Sequence, residues 1–350
     1  MTLKNTGKEE YMKNIKIGYT HGGQSHMDDM ASAGLLKAIF PEIEIKRLGF
    51  KEEPVYGDDT IVFDVGFGEF DHHQKYHKKH EDGSSYCALS LLWEKFGLEL
   101  CSNNEYMYNK IYRAVIKPIE ITDTTGAQNP LSTFFRFKNA SDTPIEAFNR
   151  TIEEMTLFFN GVKEECKRIA PELERAKRFY TEEVDGPVFS LPESEPFIQT
   201  DIIAQLSEKI LYYVHKSDRA PDNYNIIAVG DDGNNRKLIP LPGMSVSNPE
   251  EAKKLEEFGL LGVIFLHTNR FIMVCDSFSL ANIYAEVFAV QDIDTENMKT
   301  LIGIIIDAQE YTMQSVSHGF IGHVISWLEE NEKTTEPVES EDDDSNWDGE

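Results

Sequence analysis

The sequence has no CxxC pair. Its four cysteines, Cys87, Cys101, Cys166 and Cys275, lie far apart. That spacing argues against a cysteine zinc site and a disulfide scaffold, and for free thiols in a reducing compartment. No apolar run is long enough to cross a bilayer, so no membrane association is expected. The opening MTLKNTGKEEYMKNIKIGYT carries lysines without the apolar stretch of a secretory signal, so a cytoplasmic protein is expected. Basic residues are scarce: Lys and Arg number 34 against 61 Asp and Glu, for a net charge of −27. A chain so acidic repels polyanions at long range and lacks a basic face, so stable binding to duplex DNA is not expected. GFGEF has too few glycines, and no clear helix after it, for a phosphate loop. No HExxH occurs, and no internal repeat is visible.

A chain of 350 residues leaves room for about two domains and a sizeable core. NIKIGYTH (14–21) reads as a strand, and DDMASAGLLKAIFP (28–41) as a helix closed by Pro41. Short strands follow at 43–49 and 60–66. That order predicts an α/β domain with a mainly parallel sheet. SSYCALSLLWEKFG (84–97) reads as a helix with a serine start and a glycine stop, and 104–126 as another interrupted at Pro118. The span 143–183 reads as mainly helical, either one long helix or two broken near Pro171. Beyond DGP (185–187) the texture changes. YNIIAVGDDGNNRKLIPLPG (224–243) reads as a hairpin, 260–276 as a strand pair turning around TN, and 277–290 as a helix capped by Ser277. The end, EENEKTTEPVESEDDDSNWDGE, holds eleven acids and one lysine and reads as a disordered tail.

Three short stretches concentrate chemistry. THGGQSHMDD brings His21, His26, Asp28 and Asp29 to the junction of the first strand and helix. IVFDVGFGEFDHHQ places Asp64 at the end of an apolar strand and Asp71, His72 and His73 just after it. IEITDTTG carries Asp123 at the end of a helical stretch. Loops at the carboxyl ends of strands in an open α/β sheet converge on one crevice, so these groups could share a site. Mixed imidazole and carboxylate donors suit Mn²⁺, Fe²⁺ or Zn²⁺. Six or seven donors exceed what one tetrahedral ion takes and suggest two ions sharing a carboxylate.

Simpler readings exist for single residues. Asp28 or Asp29 alone reads as a helix cap or first-turn acid. His77 and His80 read as exposed loop residues, His267 as a strand-end histidine, and His318 with His323 as a surface pair. Asp71 could orient a histidine.

The ordered set THGGQSHMDD, IVFDVGFGEFDHHQ, YCALSLLWEKFG and IEITDTTGAQNPLS resembles the MYG-one family (melanocyte proliferating gene one) of the DHH phosphoesterase superfamily. LLGVIFLHTNRFIMV is similar to that family's C-terminal segment. The likeness covers about residues 15–290. Many members carry Glu where Asp29 stands, and a longer, arginine-bearing segment where this chain has FGEF.

The resemblance implies an α/β fold with a DHH-like, mainly parallel sheet flanked by helices. The domains are read as a DHH-like metal-binding domain over 1–140, a helical connector over 141–186, a smaller α/β substrate-capping domain over 187–328 and a disordered acidic tail over 329–350; the segment 291–328 and the tail have no counterpart in the family. It implies that His21, His26 and Asp64 hold one metal and that Asp28, Asp64, His72 and Asp123 hold the other, with Asp64 bridging. His73 would donate a hydrogen bond to a phosphate oxygen, with Asp71 buttressing a histidine; these two form the catalytic set. His267 and Arg270 are the substrate-binding candidates. The implied cofactors are two divalent ions, Mn²⁺ first, with Mg²⁺ or another divalent ion as alternatives.

The expected function is that of a metal-dependent hydrolase. It would be an exonuclease cleaving phosphodiesters of short or single-stranded nucleic acid by a two-metal hydroxide mechanism. The rivals are a small-molecule phosphatase or pyrophosphatase acting on nucleotides, and a non-catalytic metal-binding protein of the same fold. Whether the chain forms a homo-oligomer is left open.

Overall fold

The computed structural model describes residues 15–180, 186–230, 236–241, 244–256 and 260–289. The expected acidic tail, the segment 291–328, and His318 and His323 lie outside the described residues. The chain divides into two compact units, Met1–Pro171 and Glu172–Glu350.

The first unit is built on three parallel strands: β1 (Ile17–His21) in the centre, β2 (Glu44–Leu48) on one side and β3 (Thr60–Val62) on the other. Parallel pairing puts the carboxyl ends of β1 and β3 at one edge, and both lead into charged segments. The crossover from β1 to β2 is helix α1 (Met27–Ile39). Its alanines and leucines at 31, 33, 35, 36 and 38 are buried. At Gly34 a Cβ would stand 2.5 Å from that of Met155, so only glycine allows this helix approach.

Helix α2 (Ala88–Leu100) starts later than its serines suggest, with Cys87 at the capping position. The serines are engaged elsewhere: the Ser84 hydroxyl donates to Asp82, and Ser85 bonds the His77 ring. Gly97 does not stop the helix either. It lies inside it, because a Cβ there would meet the Trp93 ring at 2.6 Å.

The stretch expected to break at Pro118 breaks before it. Helix α3 (Glu105–Ile111) passes into a π-helical turn, Tyr112–Ile116, and then into α4 (Lys117–Thr125). Pro118 thus occupies the second position of α4, where its missing N–H costs no hydrogen bond. Gly126 ends α4 with φ 76°. Helix α5 (Pro130–Lys138), not anticipated, is capped by Asn129, whose side chain accepts from the Ser132 amide at 2.8 Å. Helix α6 (Pro144–Phe179) runs unbroken through Pro171.

The second unit holds a five-stranded sheet in the order β4 (Val188–Ser190), β5 (Tyr212–Lys216), β6 (Tyr224–Ala228), β8 (Ile272–Cys275), β7 (Val263–Leu266). Only β4 and β5 run parallel. Between β4 and β5 lies the short helix α7 (Thr200–Ile203), and before β7 lies α8 (Pro249–Glu256). Of the expected 224–243 hairpin, residues 231–235 and 242–243 lie outside the described residues; among the described ones, β6 pairs with β5 and β8. Buried Tyr212, Tyr213 and Val214 make β5 an interior strand, while the chain after β6 sends the Ile239 amide to the Arg270 carbonyl. The β7–β8 pair is present, and α9 (Phe278–Ala289) buries Tyr284 and Phe288 in this unit's core.

Candidate metal centre

The two strand ends are shaped by their backbone. After His21, a Cβ on Gly22 would sit 2.3 Å from the Leu48 carbonyl oxygen, and Gly23 has φ 82°. The tight turn leads directly into α1 with its two first-turn acids. After β3 the chain kinks at Asp64, which has φ 54°, uncommon for a residue with a side chain. Its amide donates to the Phe70 carbonyl at 2.9 Å, folding the GFGEF turn back so that Asp71, His72 and His73 return beside Asp64.

Asp64 is the hub. Its Oδ2 lies 3.2 Å from His21 Nε2, and its Oδ1 lies 3.6 Å from His72 Nδ1 and 3.7 Å from His73 Nδ1. The other face of His72 reaches α4: Nε2 lies 3.2 Å from Asp123 Oδ2. His26 Nδ1 lies 3.8 Å from Asp123 Oδ1, so its nearest carboxylate is Asp123. In two groups each residue offers one donor atom, and these atoms lie within 4.8 Å of one another. One is Asp64, Asp71, His72 and His73; the other is Asp28, His72 and Asp123. Eight side chains from three stretches therefore meet, six of them the expected ligands.

Asp29 belongs here too, although the expected ligand set omits it. It is fully buried; Oδ1 accepts from the His26 amide at 2.7 Å, and Oδ2 lies 3.7 Å from His21 Nε2. The adjacent acids DD were the available signal. Neither acid is the helix cap, since His26 holds that position. Asp28 instead serves α2, accepting from the Ala88 amide at 3.0 Å and the Leu89 amide at 2.7 Å.

Asp71 accepts from the Phe67 amide at 2.7 Å and the His73 amide at 3.0 Å, and its Oδ1 lies 2.7 Å from His73 Nδ1. Its oxygens are thus engaged, and it fixes the His73 ring. His73, His21 and His26 line a cavity of about 340 Å³ with Asp64 and Asp123.

His77 and His80 are not exposed loop residues. His77 bonds Ser85 and the Gln74 carbonyl; His80 faces both oxygens of buried Glu120 and stacks on Tyr86. KYHKKH has no apolar pattern to reveal this, because both rings are enclosed by polar and ring partners, Gln74, Ser85, Tyr86 and Glu120.

His267 and Arg270 lie in the β7–β8 turn of the second unit. The His267 ring accepts from the Asn269 amide, and Arg270 donates to the Ile239 carbonyl.

Asp28, Asp29, Asp64 and Asp71 are at most 3 % exposed, a density of buried acids that is costly without cations. Burial, then the Asp64 and Asp123 charges, holds the Asp28 carboxyl well above its usual range. Burial raises Asp29 to about 7 and raises Asp123 against the pull of His72. The hydrogen bond to Asp64 raises His21 to about 9. Burial would raise Asp71 as well, but hydrogen bonds from His73 and Phe67 outweigh it and hold the carboxyl low.

Three buried donor atoms, Asp29 Oδ2, Asp64 Oδ1 and His72 Nδ1, have no hydrogen-bond partner. Native proteins rarely leave such atoms unanswered unless something else binds them. The donor chemistry, spacing and orphaned atoms fit divalent cations.

A protein-family profile, MYG1_exonuc, described as an uncharacterised protein family (UPF0160), matches residues 16–286. No curated protein matches the chain significantly. Among solved structures, the chain is similar to a pGpG-specific phosphodiesterase, PggH, from Vibrio cholerae. The identity is 16 %, and the alignment covers 75 % of this chain and 92 % of that one at a TM-score of 0.23.

Proposed function

The chain belongs to the MYG1_exonuc family, and from that premise we propose that it is a divalent-metal-dependent phosphoesterase acting as an exonuclease on short or single-stranded nucleic acid. The observation that carries this reading is Asp64. It is buried, offers one oxygen toward His21 and the other toward His72 and His73, and keeps Oδ1 without a hydrogen bond. A carboxylate so placed suits a bridge between two cations. His21 and Asp29 would serve one side; Asp28, His72 and Asp123 would serve the other, with His26 near Asp123. Bound ions supply hydroxide near neutral pH and offset charge on phosphoryl oxygens.

The chain's own residues supply orientation. Asp71 holds His73 by its Nδ1, which leaves Nε2 for the cavity. With its Nδ1–H donated to Asp71, a doubly protonated ring would also donate its Nε2–H to a non-bridging phosphate oxygen as the charge there grows. With Nδ1 engaged, His73 is better suited to this role than to ligation. Manganese is the proposed ion, since the three imidazoles of His21, His26 and His72 beside carboxylates suit it better than an all-oxygen magnesium site. Free buried thiols at all four cysteines suit a reducing compartment, and the cytoplasm is the proposed location. Among the described residues no helix is long and apolar enough to cross a membrane.

The test is hydrolysis of an end-labelled oligonucleotide with Mn²⁺ and with chelator, beside pyrophosphate as competitor. Stepwise, metal-dependent shortening is expected, with Asp64→Asn slower by at least about 100-fold. Faster turnover of pyrophosphate would favour the small-molecule rival. Unchanged hydrolysis in Asp64→Asn would overturn the reading.

A further inference from the structure

The first unit carries another cavity, of about 920 Å³, which shares no lining residue with the cavity at the metal centre. It lies against the outer edge of β3, with Thr60, Ile61 and Val62 in its wall. Strand β3 has a neighbouring strand, β1, on one side only. Toward β1 it turns Asp59, whose carbonyl accepts from the Ile17 amide at 3.2 Å, and Phe63, whose amide donates to the Tyr19 carbonyl at 3.0 Å. Alternation therefore turns the backbone groups of Thr60 and Val62 outward. The Thr60 amide donates to the Gly57 carbonyl at 3.2 Å, and beyond Val62 the Phe70 segment closes the edge by accepting the Asp64 amide. Between these two stops, the Thr60 carbonyl and the Val62 amide have no backbone partner among the described residues.

The cavity floor is aromatic. The Phe96 ring stands edge-on to Phe40, with centroids 5.8 Å apart, and tilted against Phe70 at 6.1 Å; Ile15 and Ile61 extend the apolar surface. The rim is acidic. Asp58 is exposed and has no cationic partner among the described residues, while Lys95 is taken up by Glu69 at 2.9 Å. The loop leading into β3 holds Glu52, Glu53, Asp58 and Asp59 against Lys51. An open edge strand is a template for pairing, which proteins commonly blunt with lysine, proline or a covering segment. Here the open groups lie beside an apolar hollow instead.

We propose that this edge binds an extended, basic segment of a partner protein, which adds to the sheet as a strand beside β3. One residue of a strand parallel to β3 satisfies both open groups: its amide donates to the Thr60 carbonyl, and its carbonyl accepts from the Val62 amide. That residue stands opposite Ile61. Its side chain, and those two residues away, point to the side of the sheet that Ile61 occupies, and Ile61 lines the cavity. Alternate apolar residues thus fill the hollow. The residues between them point the opposite way, where lysine or arginine meets the acidic rim. A second copy of this chain suits the edge less well. A two-fold pairing would bring two acidic rims together, each on a chain of net charge −27. The same charge favours the approach of a cationic segment. The bound segment would stay outside the metal centre but rest against Phe70, whose carbonyl holds the Asp64 amide.

The experiment is isothermal titration of the full chain with an acetylated and amidated probe peptide, KVKFKV. Two N-methylated forms accompany it, one methylated on the apolar residues and one on the lysines, together with the acidic analogue EVEFEV. KVKFKV is expected to bind. Methylation on the apolar residues should weaken it at least about tenfold, the scale of the main-chain hydrogen bonds removed, because their amides face β3. Methylation on the lysines should leave the affinity near that of the unmethylated probe. EVEFEV should bind at least about tenfold more weakly. Asp58→Lys should weaken KVKFKV several-fold more than Glu164→Lys, which makes the same change of charge on α6, away from the cavity. Both positions are exposed, so neither change threatens the fold. No binding of KVKFKV, equal effects of the two methylation patterns, or equal effects of Asp58→Lys and Glu164→Lys would overturn the proposal. Failure to bind by a parent that sediments as a dimer would assign the edge to a second copy. Tighter binding of a peptide of residues 1–14 than of KVKFKV would assign it to the chain's own first residues. Either result overturns the proposal as well.

Discussion

Asp28 Oδ1 accepts a 2.7 Å hydrogen bond from the amide of Leu89, 61 residues later in the chain. With Oδ2 on Ala88, the acid of the first motif supplies acceptors for the first two amides of α2, whose capping residue is Cys87. The same carboxyl offers an oxygen within 4.8 Å of donor atoms of His72 and Asp123. One side chain therefore ties the strand-end motif to the helix that follows the DHH loop, and a ligand position to a fold contact.

Asp28→Ala should accordingly cost stability even without metal. Two buried amides lose their acceptor, which is worth about 1–3 kcal/mol. Urea denaturation of the metal-free protein measures this. A variant as stable as the parent would mean that water or another side chain replaces the cap.

Asp64→Asn should behave differently. Asparagine tolerates the left-handed backbone found here at φ 54° better than most residues, so the kink is preserved. The change also removes a buried carboxylate from a crowded acidic site. The metal-free variant should therefore melt at or above the parent, while the rise in melting temperature on adding Mn²⁺ should largely vanish. A metal-induced shift equal to the parent's would remove Asp64 from the ligand set.

The site's raw material is legible in the sequence because strand ends are. His21 and Asp64 each close an apolar run, and parallel pairing of β1 and β3 brings them together. What escapes is whatever depends on a side-chain partner that the linear pattern does not reveal. Asp29 looks like an ordinary first-turn acid until His21 stands beside it. His80 looks solvated until Glu120 and Tyr86 enclose it. Gly97 carries the usual signal of a helix stop, and only the Trp93 ring explains it as an interior residue. The signals for α5 were present in Asn129 followed by Pro130, a capping residue before a proline suited to a first turn. Strand β5 was obscured differently: a short apolar run fits a buried helix as well as a strand, and its identity rests on β4 and β6 flanking it.

The metal-free protein should lose stability as pH rises. Asp29 is raised to about 7 by burial and His21 to about 9 by Asp64, while Asp28 and Asp123 are also raised. Between the ordinary carboxylate range and about pH 9, the folded chain therefore binds more protons than the unfolded one, and stability falls with increasing pH. Divalent ions would replace those protons, so the loaded protein should have a flatter profile and loading should release protons. Denaturation with and without Mn²⁺ at about pH 6 and about pH 8, with calorimetry in two buffers of different ionisation enthalpy, tests both parts. Metal-free stability that increases over this interval would contradict the assignment of protons to these carboxyls.

Glu120 should matter to metal affinity without being a ligand. It is 1 % exposed and lies one turn before Asp123 on α4. His80 Nε2 sits 2.9 and 3.0 Å from its two oxygens, and Lys117 donates to Oε1 at 2.6 Å. His80 belongs to the loop that follows His72 and His73, so this contact fixes the DHH loop to the helix that presents Asp123. The 3.2 Å approach of His72 to Asp123 depends on that attachment. Removing the carboxylate leaves His80 and Lys117 without their acceptor. Glu120→Ala should lower stability by about 1–3 kcal/mol and weaken manganese binding about 10–100-fold, the usual effect of losing a group that orients a ligand. Glu120→Gln keeps the shape and one acceptor oxygen, so its manganese affinity should fall between the two. If Glu120→Ala lost stability but kept the parent's manganese affinity, the contact would hold the loop without setting the His72–Asp123 spacing.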